Sequence, residues 1–120
     1  MNKCYMVDYH AKDIGEQILW IVKDADTAEL IEITVRYGID VLKICYGRSY
    51  NKINVMLTKT NGYLILNFKY LTATNKTSLE NQVKLFFGYY YDKISYEFNN
   101  GENTLTFVLN KTTISKHHIL

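Results

Sequence analysis

Asp8 and His10 bring a carboxylate within two residues of an imidazole. An aspartate that orients a histidine ring can make it a general base. Such a base needs a nucleophile or a positioned water, and the chain offers no recognisable one. It contains no Gly-x-Ser-x-Gly elbow, no phosphate-binding glycine loop and no His-Glu-x-x-His. Cys45 alternates with Val41 and Lys43 and reads as a small hydrophobe rather than a nucleophile. Cys4, His10, His117 and His118 match no zinc-ligand spacing. The expectation is no metal and no cofactor, with a small enzyme using Asp8 and His10 as the third reading of function.

The richer chemistry is aromatic. Phe86 to Phe98 reads FFGYYYDKISYEF, with Tyr89, Tyr90 and Tyr91 in succession. Adjacent rings in a link between two elements cannot all point inward. One ring in the core and one or two half-exposed is the expectation, and exposed tyrosines are frequent binding anchors.

The elements that would position these groups are clearest around Asn-Gly pairs. Asn61-Gly62 lies between two apolar-rich runs, the strongest short hairpin signal. The implied register sets Lys59 opposite Leu64, Leu57 opposite Leu66, Val55 opposite Phe68 and Ile53 opposite Tyr70. One face is then apolar. The other carries Asn54, Met56, Thr58, Tyr63, Ile65, Asn67 and Lys69, and a slip of one residue would scramble both. Asn100-Gly101 marks a second hairpin, with Ile94, Tyr96, Phe98, Leu105 and Phe107 on its inner face. Between the hairpins, Thr77 to Glu80 fits a capping box, and Leu79, Val83, Phe86 and Phe87 make a helical stripe that ends at Gly88. This predicts a helix over about 78–87.

The first half is read as a buried strand in QILWIVKD, a helix from the Asp26–Glu29 capping pair to a stop at Gly38, and a strand in DVLKICYG. Residues 1–10 add an edge strand through Tyr5, Val7 and Tyr9. The order predicts one α+β domain over 1–120, a two-layer ferredoxin-like βαββαβ sheet with two helices and an extra C-terminal strand. Residues 113–120 are expected as a tail. The runner-up is a more β-rich antiparallel fold in which 28–37 is a strand.

In the ferredoxin-like plan the helices cover one sheet face. The open face would present Asn54, Met56, Tyr63, Ile65 and Lys69, joined by Lys43 from a neighbouring strand. Over eight residues, Asn61 to Phe68 resembles the third-strand signature of RNA-recognition-motif domains. Gly62, Tyr63, Leu66 and Phe68 match it; Asn61, Leu64 and Ile65 replace its basic, small and second aromatic positions. The resemblance implies base stacking on the sheet, for which Ile65 lacks a ring.

Composition bounds the rest. The chain has 120 residues, 48% hydrophobic and 22% charged, as expected of a folded soluble domain. The start, MNKCYMVDYH, has no signal-peptide apolar core, which predicts a cytoplasmic protein with Cys4 and Cys45 as free thiols. Net charge is +2, unevenly spread: residues 13–40 hold seven acids and two bases, residues 41–76 six bases and no acid. Lysine outnumbers arginine 12 to 2 and proline is absent, a usage typical of AT-rich genomes such as those of many phages.

These observations give a first reading of function as a non-enzymatic protein-interaction module. Its sharpest form is an inhibitor, either a phage counter-defence protein of the anti-CRISPR type or an immunity protein. It would bind a protein partner, a nucleic-acid-processing complex being one form of it, through Lys43, Asn54, Met56, Tyr63, Ile65, Lys69, Tyr89, Tyr90 and Tyr91. The alternative is a single-stranded nucleic-acid binder, with Lys43, Arg48, Lys52, Lys59 and Lys69 on phosphates and Tyr63 stacking on bases.

Overall fold

The computed structural model describes residues 2–46, 52–73 and 78–110. Arg48, Thr77, His117, His118 and the tail 113–120 lie outside the described residues, as do the side chains of Tyr46, Ser78 and Leu79. The elements run β1 (Lys3–Val7), α1 (Ile14–Val22), α2 (Ala25–Tyr46), β2 (Asn54–Lys59), β3 (Tyr63–Leu71), α3 (Ser78–Phe87), β4 (Lys93–Asn99) and β5 (Glu102–Asn110). Among the described residues this is an α+β fold with three helices on a five-stranded sheet of order β1-β2-β3-β5-β4, every neighbouring pair antiparallel.

Both hairpins have the register expected from their alternation. Lys59 faces Leu64, Leu57 faces Leu66 and Val55 faces Phe68, while Asn54, not Ile53, is the first paired residue of β2. In the second hairpin Phe98 faces Asn103, Tyr96 faces Leu105 and Ile94 faces Phe107. Its turn residues Asn100 and Gly101 have φ of 51° and 83°, the double positive φ of a type I′ turn. The edge strand β1 is present too, although Tyr9 lies beyond its end.

The ferredoxin-like topology is not what forms. QILWIV is helical, because Ile14, Ile18 and Ile21 recur at helical spacing and are all buried, while Leu19 and Trp20 point outward. α2 begins two residues earlier than the Asp26–Glu29 pair suggested. Asp24 caps it, its carboxylate accepting the Thr27 N–H at 2.9 Å. Gly38 does not stop the helix, and DVLKICY is its last two turns rather than a strand. The glycine is there for another reason: a Cβ on it would stand 2.7 Å from the Phe68 ring. The chain therefore leaves β1, makes a helical pair, and returns in β2 antiparallel to β1. Only β3–α3–β4 keeps a parallel crossover, with β5 inserted between its strands.

All three helices contribute to one core. Ile14, Ile18 and Ile21 from α1, Ile31, Val35, Ile39 and Leu42 from α2, and Val83 and Phe87 from α3 meet the buried sheet face of Val55, Leu57, Leu66, Phe68, Leu105 and Phe107. One polar node is set into it. The fully buried Asn103 donates from Nδ2 to the Tyr70 carbonyl at 3.2 Å and to Thr72 Oγ1 at 2.7 Å, while its Oδ1 accepts from the Tyr96 hydroxyl. Its amide is satisfied at both ends, which is what permits its burial.

Candidate interaction surfaces

The first candidate chemistry does not assemble. Asp8 Oδ1 accepts the backbone N–H of His10 at 3.2 Å, a local turn bond that leaves the imidazole unoriented by that carboxylate. The His10 ring packs on Tyr9 at 4.3 Å. Both residues line a depression of about 270 Å³ beside β1, together with Lys52. Cys4 is exposed on β1 and Cys45 half-buried on α2, and the two are not joined in a disulfide. Among the described residues no cluster of three or more His, Cys, Asp or Glu is placed to hold a metal ion.

The sheet face away from the helices is open, as expected. It carries Asn54 and Met56 from β2 and Tyr63, Ile65, Asn67 and Lys69 from β3, with Met6 of β1 beside Met56. It continues through Thr106 and Val108 to Ser95 and Lys93. A depression of about 490 Å³ opens among Met6, Lys52, Asn54, Met56, Lys69 and Glu102. This face mixes Asn, Thr and Ser with Met6, Met56, Tyr63, Ile65 and Val108, and Glu97 and Glu102 offset its lysines.

The basic set is dispersed. Lys43 belongs to α2, on the helical layer, because the segment expected as a strand is helix. Lys59 points to the helix side, where its ammonium donates to the Ile21 carbonyl at 3.1 Å and closes the end of α1. Lys52, Lys69 and Tyr63 alone of the described members stay near the open face. A phosphate-tracking groove needs its cations on one side, and this arrangement divides them.

The tyrosines divide as well. Tyr91 is buried, at 6% exposure, and is corrected from a surface residue to a core one. It packs against Phe107 at 5.1 Å and Phe87 at 6.3 Å. Its hydroxyl is 2.6 Å from Thr34 Oγ1, which itself donates to the Leu30 carbonyl at 2.7 Å, so the tyrosine is the donor of that pair. Burial pushes the Tyr91 pKa well above the ordinary tyrosine value. Tyr89 and Tyr90, by contrast, are exposed and lie edge to face at 5.3 Å.

These rings sit on the helical layer, opposite Tyr63, and so do not form one surface with it. Three residues before Tyr89, Phe86 is 61% exposed, so of the two phenylalanines that close α3 it is Phe87 that enters the core. The Phe86 ring lies 4.5 Å from Tyr37 of α2. Tyr37 and Phe86 thus join α2 and α3 through their rings, with Ile33 exposed one turn before Tyr37 and the exposed Tyr89–Tyr90 pair following α3 directly in the chain, and these are taken together as the α2–α3 patch. A sequence signal for it existed: Phe86 and Phe87 are adjacent, and only one of two adjacent helical residues can face a core squarely. Compared with known proteins, the chain matches no family model, no curated protein and no solved structure.

Proposed function

We propose that the chain is a protein-binding module that acts by occupying a partner rather than by turnover. The observation that carries this reading is the α2–α3 patch, where Phe86, Tyr89 and Tyr90 keep large parts of their rings in water although a packed core lies directly beneath. Grouped exposed aromatics mark interaction sites, and tyrosine binds with little conformational cost because its side chain has few torsions. An inhibitor of the counter-defence or immunity type, working inside a cell, is the form of module that the chain's size and AT-rich composition favour. The divided cations and the Thr- and Asn-rich open face speak against a phosphate-tracking surface.

The test is site-specific photo-crosslinking from position 89, with position 95 on the open sheet face as control. A discrete one-to-one adduct with a single protein from position 89, lost in Phe86→Ala/Tyr90→Ala, is the expected result. Adducts from position 95 alone would move the site to the open face. Fluorescence anisotropy with labelled single-stranded RNA and DNA tests the alternative. Micromolar binding at physiological salt, weakening steeply as salt rises, would replace the protein-binding reading with a nucleic-acid one.

A further inference from the structure

A different surface, at the β1 end of the sheet, carries its own pattern. β1 is an edge strand: β2 pairs with one side, and no described strand takes the other. Such an edge presents N–H and C=O groups that a further strand can take up. α1 packs over it, with Trp20 edge-on to Tyr5 at 6.1 Å between ring centres. Trp20 is nonetheless 69% exposed, and Leu19 beside it is exposed as well.

The charges here are ordered. The exposed residues Glu16, Leu19, Trp20 and Lys23 form one helical stripe, acid at one end, base at the other, with two large apolar side chains between. β1 has the same form, with Lys3 at its start and Asp8 just past its end. α1 runs back over β1. The Asp8 N–H donates to Gln17 Oε1 in the first half of α1, and Lys59, register partner of Lys3, reaches Ile21 near its last turn. The two polarities therefore add. Lys3, Lys23 and Lys59 gather at one end of the edge. Asp8, Asp13 and Glu16 gather at the other, with Lys12 as the cation among them. Asp24, next to Lys23, is turned to the N-terminus of α2.

We infer that this edge is a self-association surface whose occupant is a second copy of the chain. β1 pairs antiparallel with the second copy's β1 about a two-fold axis at Tyr5. Same-face residues then meet, Cys4 opposite the second copy's Met6 and Lys3 opposite its Val7. The Trp20 rings close over the axis on the helix side. The basic end of each copy meets the acidic end of the other, twice, as an isologous contact requires. A parallel neighbour would instead set like charges together. β4, the opposite edge, has no exposed large apolar side chain among its residues and lacks this pattern.

Sedimentation equilibrium of the full chain, from low to high micromolar concentration, tests the inference. Trp20 is the single tryptophan of the chain, so its emission reports directly on this surface. The expected result is a monomer–dimer equilibrium in which emission shifts to the blue as mass rises. Trp20→Asp and Glu16→Lys each weaken it by roughly tenfold or more, and Glu16→Lys/Lys23→Glu restores it. All these positions are exposed, so the variants fold. A chain that stays monomeric overturns the inference. So does a dimer that forms without an emission shift, or one equally tight in Trp20→Asp.

Discussion

Gly38→Ala separates two effects of opposite sign inside one helix. In the middle of a 22-residue helix, alanine in place of glycine favours the helix by ~1 kcal/mol. Here the added methyl meets Phe68 Cζ at 2.7 Å and Cε2 at 2.8 Å, against a relaxed carbon–carbon separation of ~3.5–4.0 Å. The ring has nowhere to go. Phe68 is fully buried and held edge-on by Phe107 at 5.8 Å. Overpacking of this kind costs ~1–3 kcal/mol, and a fixed ring puts this site in the upper half of the range. Subtracting the propensity gain leaves a net loss of ~1–2 kcal/mol. Urea unfolding followed by far-ultraviolet circular dichroism measures it, as a lower midpoint at unchanged slope. The decisive arm is a cycle with Phe68→Leu, which removes the ring edge. In that background Gly38→Ala should stabilise by ~0.5–1 kcal/mol, a coupling of ~2 kcal/mol. Stabilisation by Gly38→Ala in the wild-type background would refute the claim that the glycine exists for close helix–sheet approach.

Three further outcomes follow from the same geometry. Folded Tyr91 holds its proton above the pH at which an unfolded tyrosine, near pKa 10, releases it. Its contribution is thus complete below about pH 10 and lost as pH rises further, at up to ~1.4 kcal/mol per unit. Tyr91→Phe should cost ~1 kcal/mol at neutral pH by removing the donor to Thr34, yet show a shallower alkaline decline in pH-dependent urea unfolding. Asn103→Leu should cost ~2–3 kcal/mol, because the Tyr96 hydroxyl and the Tyr70 carbonyl each lose a partner, and thermal melts would register it. At the α2–α3 patch, Tyr89→Ala should change stability by under ~0.5 kcal/mol while weakening partner binding by ~2 kcal/mol or more, measured by calorimetry on the crosslinked partner.

The hairpins and α3 were legible because their signals are local and redundant. Alternation, an Asn-Gly turn and a capping pattern each point to the same register, and a one-residue error would reverse a whole face. α1 was read as a strand for an equally local reason: Ile18 to Val22 is an unbroken apolar run, and continuous runs do not distinguish strand from helix. The helical spacing of Ile14, Ile18 and Ile21 was present but hidden by Leu19 and Trp20, which the fold leaves outside. Gly38 misled because a glycine needed for tertiary approach looks, in sequence, like one needed for a helix end. Lys43 then followed its segment to the wrong layer. No local pattern states that Phe68, thirty residues on, will press against that glycine.

Three aromatic and apolar positions share a property. Leu19, Trp20 and Phe86 are residues that a fold-only reading assigns inward and that the structure places in water. Folding alone gives no reason to keep a tryptophan at the rim of an edge strand or a phenylalanine above a core that Phe87 already fills. Where every other level of the sequence agrees with the fold, such local disagreements fall at sites shaped by something besides stability. Two of them cluster at the β1 edge, and one at the α2–α3 junction beside Tyr89 and Tyr90. Substituting Trp20 and Phe86 by polar residues should therefore leave stability unchanged within ~0.5–1 kcal/mol, or raise it, while removing association. A loss of several kcal/mol in urea unfolding for either variant would show that the ring serves the fold after all.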